Sequence, residues 1–354
     1  MAEDLRIDSH KLIFHPERVA DWRAGKNVYP LTIEISPSGA CNHRCSFCAF
    51  DYLGYKPSFP EREQMVKNLA QMAEKGVKAI VVAGEGEPLL NKNTPEWVRH
   101  IKEFGMDPSM VSNGVLFTEK IAEECLPFLS WVRFSVNAGT DETHYRIHKG
   151  RADDFSVILA NLQNAVAVKK RNKYAATLGV QMLLLPENQS EVVLMGRRLK
   201  EIGVDYFTVK PYSQHPKSIN HAGALVDYQR FLKLEEELNE LTDERFQVYF
   251  RADAMQRLHK RRCYERCLGL PFWAYLDSQA NLWACIAYVG DPLFCYGNLH
   301  EQSFAEVWEG SKRADLMKYI EGMDVSSCRE LCRLDQINTY LDQLVHPHPH
   351  VNFI

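Results

Sequence analysis

Ten cysteines carry most of the chemistry in this sequence, and they are grouped. Cys41, Cys45 and Cys48 lie in SGACNHRCSFCAF with the spacing C-x3-C-x2-C. Six more, at 263, 267, 285, 295, 328 and 332, fall in the last hundred residues, and Cys125 stands alone. In a reducing compartment disulfides explain such usage poorly, and clustered thiols point to metal or redox work. Three thiolates on one short loop can hold three irons of a four-iron cluster, and soft sulfur ligands suit that chemistry. The fourth iron is then open to chelation by a small molecule bearing an amine and a carboxylate. Zinc is the competing occupant. It wants a fourth ligand, and His43 lies inside the loop between two cysteines, where binding would be cramped.

The elements that must position this loop can be read from hydropathy. Apolar, β-branched runs at 31–36, 79–83, 109–112, 131–136, 178–185 and 206–210 predict strands. Helical patterns at 62–74, 94–104, 118–125, 154–170 and 190–202 alternate with them. Gly76, Gly105 and Gly203 fit helix stops before the next strand. Such alternation implies βα units and a parallel sheet. Six units are too few for a closed eight-stranded barrel. The expected fold is therefore α/β, a partial (β/α)6 barrel with its site at the C-terminal ends of the strands. The predicted organisation is an N-terminal extension (1–30), the barrel (31–215), a bridging helix or linker (216–249), a small cysteine-rich domain (250–345) and a tail (346–354). Within the bridge, LVDYQRFLKLEEELNEL reads as a charged amphipathic helix. In the small domain, FWAYLDSQANLWAC reads as a β-hairpin turning at 277–281, and Ser303 as a helix cap. The HPHPH tail reads as a solvated strap in preference to a metal site.

The cysteine loop, with Phe47 just before its last cysteine, resembles the signature of the radical S-adenosylmethionine (SAM) superfamily. Other segments match in the expected order across 31–215. VVAGEGEPLL, with Gly84, Gly86, Glu87 and Pro88, resembles the glycine-rich turn that receives the methionine amine of SAM. Glycines let backbone approach a ligand, and a carboxylate can accept from an ammonium. The sequence reads GEGE where relatives read GGE, and the position before proline favours Glu87. VSNGVLF places Asn113 near the same pocket, and WVRFSVNAGT places Ser135 and Asn137 where relatives contact the ribose and carboxylate. Gln181, in GVQMLLLPEN, is a further SAM candidate.

The second cysteine group resembles the SPASM and twitch extensions of that superfamily. Cys267 and Cys285 flank the hairpin, and YGNL, VWEG and CRELC follow in order. The resemblance implies one auxiliary [4Fe–4S] cluster on Cys267, Cys285, Cys328 and Cys332, with structural zinc as the alternative. Cys263 and Cys295 are left as candidate hydrogen-atom donors or buried bystanders, and Cys125 as a core residue.

The implied function is reductive cleavage of SAM to a 5′-deoxyadenosyl radical that takes a hydrogen atom from substrate. The substrate expected is small and polar, such as a sugar, nucleotide sugar or aminocyclitol, and the outcome oxidation or epimerisation. Lys210, Tyr212, Gln214 and His215 in VKPYSQHP are the candidate substrate contacts, with His144 and His148 also near the pocket. An external one-electron donor such as flavodoxin or ferredoxin is implied. Two alternatives stand beside this: radical modification of a ribosomal peptide, and a zinc-structured binding protein without activity. The 354 residues carry 42 Lys+Arg and 46 Asp+Glu, a net charge of −4, which argues against nucleic acid as a partner. No apolar run of membrane-spanning length and no secretory pattern occurs, so a cytoplasmic protein is expected.

Overall fold

The computed structural model describes residues 9–222, 228–231, 233–258 and 260–353. Its framework is one ten-stranded sheet: β1 (Thr32–Ile35), β2 (Ala79–Val82), β3 (Asp107–Ser112), β4 (Trp131–Ser135), β5 (Thr177–Leu184), β6 (Tyr206–Pro211), β7 (Gln247–Phe250), β8 (Trp273–Leu276), β9 (Asn281–Trp283) and β10 (Cys295–Asn298). The spatial order is β10-β9-β8-β1-β2-β3-β4-β5-β6-β7. Strands β1 to β7 pair in parallel with their sequence neighbours, and the helices between them include Arg62–Glu74, Thr94–Glu103 and Asp154–Asn172. The α/β barrel architecture expected from the sequence is the one that forms, and all six expected strands are present.

Strand alternation divides the sheet into two faces. Ile33, Ile35, Ile80, Val82, Met110, Val132, Phe134, Val180, Phe207 and Val209 are fully buried against the helices. The residues between them, including Glu34, Val81, Val111, Arg133, Ser135, Gln181 and Lys210, are on the other, inner face. The sheet curls around that face: Glu34 on β1 lies within charge range of Arg133 on β4, three strands away. Gly179 serves the curl, because a Cβ there would meet the Tyr206 ring at 2.0 Å.

Several elements were not anticipated, among them the helices Ser311–Glu321 and Asp335–Val345 and three elements nearer the barrel. β7 is four residues long and follows a charged stretch that hides it. The helix Asp141–His148 arises from DETHYRIH, whose N-cap Thr140 accepts from the Thr143 amide at 3.3 Å. The helix Pro16–Arg23 lies in the lead-in. Of the expected bridging helix, residues 223–227 and 232 lie outside the described residues; the remainder includes the helix Leu234–Asn239.

The cysteine-rich region continues the same sheet. β8 pairs in parallel with β1, Thr32 opposite Trp273 through Ile35 opposite Leu276, and then turns antiparallel into β9 and β10. Ser303 caps the helix Phe304–Glu309 with a capping box, and Cys125 is fully buried in the core. His346, His348 and His350 are exposed. No helix among the described residues is long and apolar enough to cross a membrane.

Trp308 ties this region to the lead-in. It is fully buried, and its indole N–H donates to the Val28 carbonyl at 2.9 Å. Trp308→Ala removes both the packing and the hydrogen bond. The expected loss is about 3–5 kcal/mol, read from urea unfolding followed by circular dichroism.

Candidate functional site

The loop after β1 carries Cys41, Cys45 and Cys48, all three unpaired. Two backbone bonds pin it to the helix Asp141–His148: Arg44 N donates to His148 O and Ser46 N to Ile147 O, each at 2.9 Å. Its other side is held by Asp51, which accepts from Ser218 Oγ, Ile219 N and Asn220 N at 2.7–2.9 Å. Burial raises the Asp51 carboxyl, but these donors outweigh it and hold the group below the usual carboxylate range.

The glycine-rich turn after β2 lies directly against the cysteine loop. Glu87 N donates to Ala40 O at 2.9 Å, and a Cβ on Gly86 would sit 2.1 Å from that same carbonyl. Glycine is required there by contact between backbones. The Glu87 carboxylate is 2% exposed and accepts from Ser112 Oγ and Asn113 N, both at 2.8 Å, and from Leu89 N at 3.2 Å. It therefore clamps the β3 loop to the turn. Pro88 starts a short helical turn whose carbonyl accepts from Thr94 Oγ1 at 2.6 Å. Glu85 accepts from Ser278 N at 3.1 Å, tying the turn to the hairpin loop, and burial pushes its carboxyl up to about 7.

Between these loops opens a cleft of about 180 Å³. The three cysteines line it, with Gly84, Gly86, Glu85, Glu87, Asn113, Ser135 and His148. The sequence-predicted Asn137 and Gln181 are placed differently. Asn137 is fully buried; its Oδ1 accepts from Leu183 N at 2.6 Å, joining the β4 end to β5. Gln181 is on the inner face of β5, in register with Ser135.

The sequence reading put His144 and His148 near the pocket but missed that they cluster with His43 behind the loop. His144 and His148 stack at 4.2 Å, and His43 packs on both. Burial, with mutual repulsion second, holds His144 down to about 4 and His148 well below its usual range. His148 is thus neutral, and its tautomer follows from its neighbours. The Asn137 amide donates to Nε2 at 3.2 Å, so the ring proton is on Nδ1, which faces Cys45 Sγ at 3.2 Å. The spacing of i and i+4 histidines in THYRIH was the available signal. The ligand atoms of His43, Cys45 and His148 lie within 4.8 Å of one another, as in a metal site. A ring nitrogen that carries a proton toward the sulfur does not act as a ligand.

The donor set fits an iron–sulfur cluster. Burial pushes the Cys41 thiol up to about 12, raises Cys48, and places Cys45 well above the usual thiol range. Burial outweighs the Arg44 guanidinium, which acts on all three sulfurs, and buried thiols of this kind are stabilised when metal replaces their protons.

A second set gathers beside the hairpin. Cys285 lies within charge range of Cys267 and Cys328, and Cys332 of Cys285 and Cys328. Burial raises Cys267, Cys285 and Cys332 to about 12. Leu334 N donates to Cys332 Sγ at 3.4 Å and Asn338 Nδ2 to Cys267 Sγ at 3.8 Å, while Tyr288 OH is 3.6 Å from Cys328 Sγ. Cys263 is exposed beside Thr339, and Cys295 is on β10; neither lines the cleft.

Of the four substrate candidates, Lys210 is on the inner face of β6, and Tyr212 lies within charge range of Arg329 and Cys48. Tyr212 donates to Gln214 Oε1 at 2.8 Å, Gln214 donates to Asn220 O at 2.8 Å, and His215 stacks on Tyr52 at 5.3 Å. These three shape the loop after β6.

Fold and site together define an α/β barrel whose three-cysteine loop lines a ligand cleft at the ends of the strands. Residues 35–210 match the family model described as the radical SAM superfamily. The chain is 33% identical over 118 residues to an S-adenosylmethionine-dependent nucleotide dehydratase of Lacinutrix mariniflava, covering 32% of this chain and 24% of that protein. It is 25% identical over 175 residues to the dTDP-4-amino-4,6-dideoxy-D-glucose ammonia-lyase of Streptomyces venezuelae, covering 48% and 36%. The chain spans between about a quarter and two-thirds of the length of the curated relatives it matches. Streptococcus suis SuiB bound to S-adenosylmethionine has the same fold, with a TM-score of 0.66 at 15% identity over 85% of this chain and 70% of that one. The chain belongs to the radical SAM superfamily, and its cofactors are a [4Fe–4S] cluster and SAM.

Two outcomes are expected. Gly86→Ala forces the turn away from the cysteine loop and weakens SAM binding by about tenfold or more, ~1.4 kcal/mol, measured by anaerobic equilibrium dialysis. His148→Phe removes the N–H that faces Cys45 and shifts the cluster's midpoint potential to more negative values, measured by redox titration with electron paramagnetic resonance (EPR).

Proposed function

We propose that this protein cleaves SAM reductively and takes a hydrogen atom from a small polar substrate held on the inner face of the barrel. The observation that carries the reading is the backbone contact between Gly86 and the loop of Cys41, Cys45 and Cys48, which builds one cleft from the thiols and the SAM turn. Cys41, Cys45 and Cys48 would hold the cluster, which with SAM supplies a 5′-deoxyadenosyl radical. The protein's own part is positioning. Glu87 fixes the β3 loop, Asn113 and Ser135 present polar groups to the cleft, and His148 holds Cys45. The buried walls exclude water and stray hydrogen donors.

Cys267, Cys285, Cys328 and Cys332 would hold an auxiliary [4Fe–4S] cluster, supported by their convergence and by the donors aimed at their sulfurs. That cluster suits oxidation of the substrate, because it can accept the second electron. The nucleotide and nucleotide-sugar substrates named for two relatives favour a sugar or nucleotide sugar over a peptide. The electron for SAM cleavage would come from a small external donor such as flavodoxin or ferredoxin.

The test is anaerobic iron and sulfide analysis with EPR, on the native protein and on the Cys41/Cys45/Cys48→Ala triple variant. Native protein reduced with dithionite should convert SAM to 5′-deoxyadenosine, and the variant should not. A four-iron signal that survives in the variant supports the auxiliary site. 5′-Deoxyadenosine formed by the variant, or zinc in place of iron in native protein, overturns the reading.

A further inference from the structure

The inner face carries charge that SAM cleavage does not use. Alternation puts Arg133 of β4 and Lys210 of β6 on that face, on either side of β5. Both lie deep in the protein yet keep accessible surface, so they line a lumen. Arg133 Nε is buried and has no hydrogen-bond partner. Burial, and then the guanidiniums of Arg133, Arg251, Arg329 and Arg333, push the Lys210 ammonium well below the usual lysine range.

Two of these cations come from the terminal cysteine segment. Arg329 donates to Ser213 O at 2.8 Å, which docks CRELC onto the loop after β6. Arg333 pairs with Glu34 and lies 4.9 Å from the Trp273 ring centroid. Cys285 and Cys332 act on both arginines, so they stand between the lumen and the cysteine quartet. Glu34 is the carboxylate that faces this group, and Arg333 already engages it.

Like charges gathered at low dielectric repel strongly, and an arrangement of this kind is stable when an anion completes it. Arg333 is paired with Glu34 and Arg329 with the Ser213 carbonyl, which leaves Arg133 and Lys210 on the inner face to meet an anion. A guanidinium and an amine within charge range of each other suit a phosphoryl group.

We propose that the lumen is a phosphoryl-binding site and that the substrate of the radical chemistry carries a phosphate or pyrophosphate held by Arg133 and Lys210. This rests on the reading that the cleft above holds SAM. The distances agree. Ser135, which lines the cleft, is two residues along β4 from Arg133, roughly 7 Å at the rise of a strand. A phosphorylated sugar bound at Arg133 therefore reaches the cleft with its carbon skeleton.

The test uses the full chain, reconstituted anaerobically with iron and sulfide and titrated calorimetrically at fixed ionic strength. The probes are inorganic pyrophosphate and succinate. Pyrophosphate should bind at one site per chain, more tightly than succinate. Arg133→Gln and Lys210→Gln should each weaken it by about tenfold or more, the scale of one lost charge-assisted contact. Arg133→Lys, which keeps the charge, should recover part of the loss. Iron content and SAM binding on the same samples report an intact cleft, and if Arg133→Gln loses iron, Lys210→Gln and Arg133→Lys carry the comparison. Absence of pyrophosphate binding, equal binding of succinate, or affinity within about twofold of native in both Gln variants overturns the site. 5′-Deoxyadenosine formation is measured in parallel. If it persists while pyrophosphate fails to bind, only the phosphoryl site falls. If it is absent while pyrophosphate binds, the radical reading falls.

Discussion

The site depends on the contact of two backbones. The cysteine loop and the glycine-rich turn touch at Gly86 and Ala40, with no room for a side chain between them. Everything else in the region holds that contact in place. Glu87 reaches from the turn to the β3 loop, Asp51 fixes the far side of the cysteine loop to 218–220, and the helix Asp141–His148 supplies carbonyls from behind. The thiols sit in a low-dielectric setting that raises them as acids, so the free energy of metal ligation and of forming the loop are coupled.

The barrel and the cysteine loop were legible because their signals are local. β-branched runs of four to eight residues, each followed by an amphipathic stretch, give βα units directly. C-x3-C-x2-C needs no tertiary information to suggest a cluster. The histidine cluster was not legible in the same way. His43 precedes Cys45 in the loop, while His144 and His148 come a hundred residues later, and only folding brings them together. Side-chain direction was also hidden. Tyr212, Gln214 and His215 follow Lys210 in one polar run, yet Tyr212 and Gln214 bond within the loop after β6 while Lys210 is on the inner face of the strand. Strand parity decides that, and it applies to Lys210, while the others lie at or beyond the end of β6.

The charge distribution adds a second level of organisation. The net charge of −4 gives no sign of the cations on the inner face of the sheet, Arg133 and Lys210, while ion pairs such as Arg62–Glu96, Lys102–Asp107 and Arg171–Glu119 are on the outside. Overall composition therefore says little about the partner recognised inside the barrel.

The pairing of β8 with β1 has a consequence for how the chain is made. β1 is synthesised well before its neighbour on one side, β8, which begins at residue 273. Some 240 residues separate the paired strands, so the loop to be closed is long and its closure late. Until then one edge of β1, and the cysteine loop that follows it, stand open. An open edge is a hazard for aggregation and also an entrance. Docking of the hairpin is thus the step that completes the sheet around β1.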